Sequence, residues 1–256
     1  MPLIKTSLTD DIGTIGFDRE AKRNALSAGL IAETIAALDD LEARKARAVI
    51  LRSVVAGKVW SAGHDVEELP RANVDPLPYS DPLEQLLRAV KAFPAPVIAM
   101  VHGTVWGGAC DLVMACDLVY GDETCAFAIT PAKLGLPYNV AGFLNFMSRL
   151  PLNVVKEMFF AAEPVPAERA ERVGIVNRIV PAADLEQTVY DMARTFTTRS
   201  AAAIAAAKES IRVLSESAPI NPATFEYLHG LRRDVYFGPD YHEGTAAFLE
   251  KREPKF

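Results

Sequence analysis

The chain has 256 residues, of which half are apolar and 23% are charged, a composition typical of a globular protein with a sizeable core. Its formal net charge of −6 argues against general affinity for nucleic acids or acidic membranes. The first residues lack a signal-peptide pattern, and no uncharged apolar run reaches the ~18 residues of a membrane span. We therefore expect a cytoplasmic protein.

In chain order, the apolar spacing first predicts alternating strands and helices. Strands are predicted over residues 3–8, 12–17, 48–51, 97–101, 118–120 and 125–129, and the first two should form a hairpin. Helices are predicted over residues 28–41, where Ser27 could act as the N-cap, and over residues 82–93. The four prolines within residues 70–82 predict a surface loop between them.

Helices dominate the second part of the chain. They are predicted over residues 152–161, 167–173, 184–197, 201–216, 222–236 and 241–250, with one strand at 176–180. Residues 130–142, rich in glycine and proline, predict a folded loop and no regular element. The whole pattern indicates an α/β core over residues 1–195 and a helical assembly region over residues 196–256.

Two glycine-containing turns are the main candidates for a functional site. One runs from Ser61 to Asp65, and the other from His102 to Gly108, and we expect each to connect a strand to a helix. Such a connection leaves backbone N–H groups unpaired at the positive end of a helix dipole. Packing is the commoner reason for such glycines. Two turns of one type could, however, direct their N–H groups at one oxygen and form an oxyanion hole.

Other polar residues give weaker indications. His64 suggests a general base, but its neighbours supply no obvious serine or cysteine nucleophile, so we favour a backbone role. Lys22 and Arg23 form either a solvated turn or a phosphate contact. The three cysteines lack C-x-x-C spacing and are expected to be reduced thiols. No cluster has the spacing of metal ligands, so no metal is expected.

In combination, several motifs resemble the crotonase (enoyl-CoA hydratase/isomerase) superfamily. The two glycine turns and residues 127–142 match the superfamily's signatures in order and spacing, and the likeness extends to residues 22–26, 174–178 and 247–252. The resemblance implies a spiral of ββα turns followed by a helical trimerisation region. It also implies a homotrimer or a dimer of trimers that binds an acyl-CoA thioester.

The resemblance further implies which residues form the site. The N–H groups of His64 and Gly108 would form the oxyanion hole for the thioester carbonyl, and Tyr138 would orient the acyl substituent. The expected substrate-binding residues are Ala62, Gly63, His64, Asp65, Val66, Gly108, Thr130 and Lys251. Lys251 would reach the nucleotide end of coenzyme A, and Thr130 would lie near the acyl group.

Two positions that carry carboxylates in the superfamily's hydratases bear on the reaction. By resemblance, such hydratases have one glutamate at the position of Asp111 and a second at about Pro131. Hydration needs two carboxylates, one to activate water and one to deliver a proton, and proline cannot titrate. Asp111 is also shorter than the expected glutamate. We therefore regard hydration as disfavoured and leave Asp111 outside the catalytic set.

Decarboxylation suits the residues that remain, because the departing carboxylate needs no general base. The motifs at residues 105–109 and 136–139 resemble those of the superfamily's decarboxylases. The expected reaction is decarboxylation of a 2-carboxyacyl-CoA, with methylmalonyl-CoA giving propionyl-CoA through a thioester enolate. His64, Gly108 and Tyr138 would be the catalytic residues. No cofactor is expected, since coenzyme A is part of the substrate.

Two alternatives stay open. One is an enoyl-CoA hydratase or isomerase that uses Asp111. The other is a non-catalytic family member that binds acyl-CoA or RNA, although the acidic net charge weighs against RNA.

Overall fold

The structure, a computed structural model, describes residues 2–69, 78–216 and 221–256. The part of the predicted 70–82 loop before residue 78 lies outside the described residues. No helix in the described part of the chain is long and apolar enough to cross a membrane.

The strands of the described residues follow the predicted alternation closely. They are β1 (Ile4–Thr9), β2 (Ile12–Phe17), β3 (Ala48–Ser53), β4 (Val59–Ser61), β5 (Val97–Val101), β6 (Thr104–Trp106), β7 (Leu118–Gly121), β8 (Ala126–Ala128), β9 (Val165–Pro166) and β10 (Arg178–Ile179). The predicted hairpin is present as β1 and β2, which pair in antiparallel fashion around Asp10 and Asp11. Both turn residues have positive φ, a conformation that aspartate tolerates better than most side chains.

The helices of the described residues are α1 (Ala28–Ala43), α2 (Pro82–Ala92), α3 (Gly108–Ala115), α4 (Val140–Met147), α5 (Leu152–Ala161), α6 (Ala167–Val173), α7 (Ala182–Thr197), α8 (Ala201–Ser215), α9 (Pro222–Tyr236) and α10 (Pro239–Glu250). The helices whose bounds were predicted lie close to them, whereas α3 had no predicted bounds and α4 was not predicted. Ser27 caps α1 as expected, because its side chain accepts a hydrogen bond from the Leu30 N–H at 3.3 Å.

Strands of the described ranges form two sheets. The larger has the order β1-β2-β3-β5-β7-β10, and the smaller has the order β4-β6-β8-β9. Pairing is parallel except at β1–β2 and β8–β9. The mixed α/β architecture agrees with the expected fold class.

Both faces of the central strands of the large sheet are buried, and alternate residues along β3 and β5 belong to different cores. On β3, Val49 and Leu51 face the main core, whereas Ala48 and Ile50 face a second core. Helix α7 covers that second face with Leu185, Val189 and Ala193. The main core includes buried side chains of α1, α2 and α3 and of the small sheet. Because helices cover both faces, β3 and β5 read as continuous apolar runs.

The small sheet positions the glycine turns. Strands β4, β6 and β8 are mutually parallel, so the segments that follow them emerge at the same edge. The turn through Gly63 follows β4, the turn through Gly107 follows β6, and Thr130 lies two residues after β8. We predicted that the strands at 48–51 and 97–101 lead into the turns. Instead, the three-residue strands β4 and β6 intervene, and they are too short to give a pattern of alternation.

Two other predictions need correction. We predicted a helical segment after Asp65. Within the described residues, the chain there forms only a single 3-10 turn over Val66–Glu68. The predicted loop at 130–142 contains a 3-10 turn over Pro131–Leu134 and runs into α4, whose first residue is Val140. Asn139 begins that helix by accepting a hydrogen bond from the Gly142 N–H at 2.6 Å. The glycine at the third helical position concealed α4 in the sequence.

The C-terminal helices bury few side chains within one chain. Helix α8 has no buried residue, and Arg232 is the buried residue of α9, among those described. The predicted boundary after residue 195 falls two residues before the end of α7 at Thr197. The division into a core and an assembly region stays a prediction.

Candidate active site

The turn after β4 is fixed by the chain segment that precedes α1. The Ala62 N–H donates to the Arg23 carbonyl at 2.9 Å, and the Asp65 N–H donates to the Leu26 carbonyl at 3.3 Å. The Gly63 carbonyl accepts from the Leu26 N–H at 2.8 Å. Among the described residues, no protein acceptor meets the N–H of His64. The turn therefore leaves one backbone donor free.

Gly63 allows this turn to approach the next strand. Its φ is +85°, and a methyl group at this position would run into the Trp106 carbonyl oxygen. The same methyl group would lie 3.2 Å from the Gly108 nitrogen. Only glycine accommodates both the backbone conformation and the close contact. Gly63 thus brings the two turns together.

The second turn leaves a matching donor at the start of α3. The Gly107 N–H donates to the Ala128 carbonyl at 2.8 Å, and the Cys110 N–H donates to the Gly107 carbonyl at 2.8 Å. Gly108 is the first residue of α3, so its N–H has no acceptor within the helix. No other acceptor for it is found in the described part of the chain.

The two free donors border one space. A methyl group placed on Gly108 would lie 3.5 Å from the His64 nitrogen and would press on the Leu83 side chain. One placed on Gly107 would lie 3.8 Å from the Thr130 hydroxyl oxygen. The positive end of the α3 dipole adds to the same field. Two such N–H groups can stabilise an oxygen that gains negative charge during a reaction.

The His64 side chain lies against Asp81 at the start of α2. Its Nε2 lies 3.7 Å from Asp81 Oδ2, and its Nδ1 lies 3.3 Å from the Asp65 carbonyl. Burial lowers the pKa of His64, but the nearby Asp81 carboxylate, together with the Asp65 carbonyl and the charge of Glu68, leaves this pKa above the ordinary value of 6.5. The imidazole is therefore an ion-pair partner of Asp81.

Asp65, another expected binding residue of this turn, is held by an ion pair. One carboxylate oxygen of Asp65 accepts a hydrogen bond from Arg19 at 2.8 Å, and the other accepts from the Glu67 N–H at 3.3 Å. Val66 is the first residue of the 3-10 turn that follows. Lys22 pairs with Glu67 at 2.8 Å on the surface. This pair agrees with the solvated-turn alternative for Lys22 and does not exclude a phosphate contact.

Tyr138 and Asp111 meet, a contact that the sequence analysis did not predict. The Tyr138 hydroxyl donates a short hydrogen bond to Asp111 Oδ2. Asp111 lies on the first turn of α3 and is buried, and its Oδ1 has no hydrogen-bond partner in the described residues. Asp111 was left outside the expected catalytic set, yet the fold places it against an expected catalytic residue.

Glu84 is a second buried carboxylate that sequence reasoning missed. It lies on α2, where Glu84 Oε1 accepts a short hydrogen bond from Asn139 Nδ2. Burial raises the pKa of Glu84, and the Asn139 hydrogen bond and the Arg88 charge partly offset that effect. Glu84 lies next to Leu83 and three residues before Leu87, both of which are buried. This position at the margin of the apolar face of α2 was the signal in the sequence that could have indicated a buried Glu84.

The wall around Tyr138 is aromatic. Its ring packs edge-on against Phe143, Phe146 and Phe159, with centroid separations of 5.7, 6.5 and 4.8 Å respectively. Because two of the three phenylalanines lie on α4, the unrecognised helix supplies much of the apolar environment.

Lys251 lies apart from these contacts, at the end of α10. It is exposed and adopts a left-handed conformation with φ of 55°. Helix α10 packs against the 3-10 turn of residues 131–134, since a methyl group on Gly244 would run into the Leu134 carbonyl. The described residues contain no group of three or more His, Cys, Asp or Glu side chains arranged to hold a metal ion.

Comparison with known proteins establishes the family. The sequence pattern described as enoyl-CoA hydratase/isomerase matches residues 8–256. The chain belongs to the enoyl-CoA hydratase/isomerase family. The resemblance to the crotonase superfamily is thereby confirmed.

Similar members of this family include methylmalonyl-CoA decarboxylase of Escherichia coli strain K12, which is 44% identical over 245 residues, 96% of this chain and 94% of the relative. A solved structure of methylmalonyl-CoA decarboxylase with 2-nitronate-propionyl-CoA is 42% identical with a TM-score of 0.97, covering 99% of this chain and 98% of that chain. A structure with 2S-carboxypropyl-CoA also gives 42% identity and a TM-score of 0.97, over 100% of this chain and 98% of that chain. These structures confirm the expected crotonase fold.

Proposed function

We propose that this chain decarboxylates a 2-carboxyacyl-CoA, and that methylmalonyl-CoA, giving propionyl-CoA, is its substrate. The observation that carries this proposal is the pair of unpaired N–H groups of His64 and Gly108 facing one space. The 44% identity to methylmalonyl-CoA decarboxylase over nearly the whole chain supports the choice of substrate class.

The chemistry requires little beyond those two donors. When the bond between the α-carbon and the carboxylate breaks, its electron pair forms an enolate whose charge resides largely on the thioester oxygen, and CO2 leaves. Removal of one oxyanion donor in other enzymes costs ~3–4 kcal/mol of transition-state stabilisation. No base is needed, because the substrate's own carboxylate departs.

In this scheme, the Tyr138 hydroxyl orients the departing carboxylate. The ring lies in the aromatic wall formed by Phe143, Phe146 and Phe159, which would remove water from the carboxylate and favour its loss as neutral CO2. The backbone from Ala62 to Val66 would line the coenzyme A path, with Thr130 beside the acyl group and Lys251 towards the nucleotide. These binding roles are part of the proposal.

The arrangement favours decarboxylation over hydration. Pro131 stands where the superfamily's hydratases would have their second carboxylate, and it cannot titrate. Asp111, which the rival hydratase or isomerase would use, is buried and accepts a hydrogen bond from the Tyr138 hydroxyl. A non-catalytic acyl-CoA-binding protein would not need two free donors at one point.

The test is incubation of the purified chain with methylmalonyl-CoA, with propionyl-CoA and CO2 as readouts and crotonyl-CoA in parallel. Formation of propionyl-CoA and CO2 supports the proposal. Hydration of crotonyl-CoA that disappears in Asp111→Ala would favour the hydratase, and tight coenzyme A binding without turnover would favour the binding protein. Malonyl-CoA and ethylmalonyl-CoA belong in the same assay, because one methylene changes discrimination by only ~1–3 kcal/mol.

We also propose that the chain assembles as a homotrimer or a dimer of trimers through its C-terminal helices. Large apolar side chains stay exposed there in the single chain, including Ile211 on α8, 67% exposed, and Tyr227 on α9, 65% exposed. Phe225 and Leu231 on α9 and Phe248 on α10 are also exposed. Large apolar side chains exposed in this number on neighbouring segments of the chain indicate an interface between proteins.

A further inference from the structure

Leu83 places an apolar side chain beside the two free N–H groups. A methyl group built on Gly108 would lie 2.6 Å from Leu83 Cδ2 and 3.5 Å from the His64 nitrogen. The existing leucine methyl group therefore packs against Gly108 itself, at the point where the two turns meet. A thioester whose oxygen accepts from both N–H groups would have this methyl group as a near neighbour.

The start of α2 fixes the position of Leu83. Asp81 is the N-cap of this helix, and its Oδ1 accepts a hydrogen bond from the Leu83 N–H at 2.8 Å. Asp81 Oδ2 lies 3.7 Å from His64 Nε2, so one carboxylate contacts both Leu83 and the residue that carries a free donor. The Leu83 side chain is 4% exposed and belongs to the main core. Its methyl groups are thus held in a defined position relative to the oxyanion donors.

The chemistry of a leucine side chain determines which part of the substrate it can face. The thioester carbonyl carbon is bonded to the α-carbon, which in a 2-carboxyacyl-CoA carries a carboxylate and either an alkyl group or hydrogen. Leucine offers dispersion contacts to an alkyl group. It offers no hydrogen bond to a carboxylate, which would lose hydration there without compensation. The favourable arrangement therefore turns the alkyl group towards Leu83 and the carboxylate away from it.

We propose that Leu83 is a specificity-determining residue, which contacts the alkyl substituent on the α-carbon and limits it to the size of a methyl group. The proposal rests on the proposed function and concerns the acyl specificity of the same site. Leu83 takes no part in breaking the carbon–carbon bond. It acts through shape, because an ethyl group would press on its methyl group and a hydrogen would leave a gap that loses dispersion contacts.

A role in the core alone is the competing explanation, since Leu83, Leu86, Leu87 and Val90 form one apolar face of α2 within the main core. Loss of stability cannot separate the two explanations, because truncation of any of these side chains leaves a cavity. The ratio of kcat/KM for two substrates can, because a smaller fraction of folded protein lowers both values equally. Leu86 is the matched control, since it is fully buried on the same face and is not among the nearest neighbours of a methyl group on Gly108.

The experiment measures kcat/KM for methylmalonyl-CoA and ethylmalonyl-CoA, with CO2 release as the readout. We expect the unmodified protein to favour methylmalonyl-CoA. Leu83→Ala should raise the ratio of ethylmalonyl-CoA to methylmalonyl-CoA kcat/KM at least ~10-fold, the lower end of the discrimination that one methylene gives. Leu83→Val, a smaller truncation, should shift the ratio in the same direction by less, and it keeps the test available if alanine prevents folding. Leu86→Ala should leave the ratio unchanged.

Three results would overturn the proposal. An unchanged ratio in both Leu83 variants would show that this side chain does not meet the alkyl group. An equal rise in Leu86→Ala would assign the effect to a general loosening of α2. A preference of the unmodified protein for ethylmalonyl-CoA would contradict the size limit.

Binding measured without turnover separates this proposal from the proposed function. Propionyl-CoA and butyryl-CoA differ by the same methylene as the two substrates and have no carboxylate to lose. Isothermal titration calorimetry should give a butyryl-to-propionyl affinity ratio that also rises ~10-fold in Leu83→Ala. If that ratio rises but the unmodified protein releases no CO2 from either substrate, the size limit at Leu83 stands and the proposed decarboxylase function fails. If CO2 is released and neither ratio changes, the function stands and the role of Leu83 fails.

Discussion

At the scale of single residues, the proposed site depends on backbone N–H groups, which substitution cannot delete directly. Their use can be tested through the space in front of them. Gly108 is the suitable position, because a methyl group there would approach the His64 nitrogen at 3.5 Å and the Leu83 side chain at 2.6 Å. Alanine would therefore occupy the space that the thioester oxygen requires.

We expect Gly108→Ala to lower kcat/KM for methylmalonyl-CoA decarboxylation by at least ~10²-fold, comparable to the loss of one oxyanion donor. The measurement is steady-state kinetics with CO2 release as the readout. Gly57→Ala is the matched control, because no atom lies within 4 Å of a methyl group at that exposed position. Unchanged kinetics in Gly108→Ala would remove this nitrogen from the oxyanion hole.

The pairing of His64 with Asp81 gives a prediction about pH. Because the folded-state pKa of His64 is raised above 6.5, the protonated imidazole stabilises the fold below pH 6.5. That contribution is lost as the pH rises through the raised pKa. Asp81→Asn should lower the pKa of His64, because the largest of the interactions that raise it is lost while burial remains, and should flatten this part of the stability profile.

An NMR titration of the His64 imidazole checks the shift directly. Asparagine is a suitable replacement because Asp81 also caps α2, accepting from the Leu83 N–H at 2.8 Å, and asparagine caps helices equally well. A raised pKa that persists in Asp81→Asn would show that another group holds the proton on His64.

At the scale of elements, α10 supports the active-site loop through a close backbone contact. Gly244→Ala would run into the Leu134 carbonyl, which belongs to the 3-10 turn that precedes Tyr138. We expect this substitution to lower the free energy of unfolding by about 1–3 kcal/mol, the usual cost of overpacking. It should also lower decarboxylation, because the loop that carries Tyr138 would shift.

Gly230→Ala on α9 is the control for this prediction. Nothing lies within 4 Å of a methyl group at Gly230, so alanine should raise the free energy of unfolding by about 0.5–1 kcal/mol through its better helix propensity. Urea denaturation of both variants compares the two effects. Equal stability of both variants would mean that α10 does not press on the loop.

At the scale of the whole molecule, the exposed apolar side chains of α8 and α9 make assembly testable. Ile211→Glu would place a charge within the proposed interface, and we expect it to dissociate the oligomer at micromolar concentrations, because a buried unpaired charge is costly. Sedimentation velocity measures the change. Ser210→Glu adds the same charge one residue away on an exposed polar position and should leave the oligomer intact.

Much of the fold was predictable because it rests on local signals. Strand β5 occupies residues 97–101 as predicted, since an apolar run buried on both faces differs clearly from its surroundings. Helices α5, α6 and α9 also have their predicted bounds. The motif positions of His64, Gly108 and Tyr138 could likewise be proposed from the sequence, because their neighbours resemble family signatures.

Other features depend on contacts between residues distant in sequence, which no periodicity can reveal. Tyr138 meets Asp111 across 27 positions, and Asn139 meets Glu84 across 55. The sequence by itself determined the family, most of the longer strands and helices, and the two glycine turns, because these follow from local composition and motif spacing. Only the tertiary structure placed both turns at one edge of the small sheet and buried Asp111 against Tyr138, because burial and electrostatics arise from packing between elements.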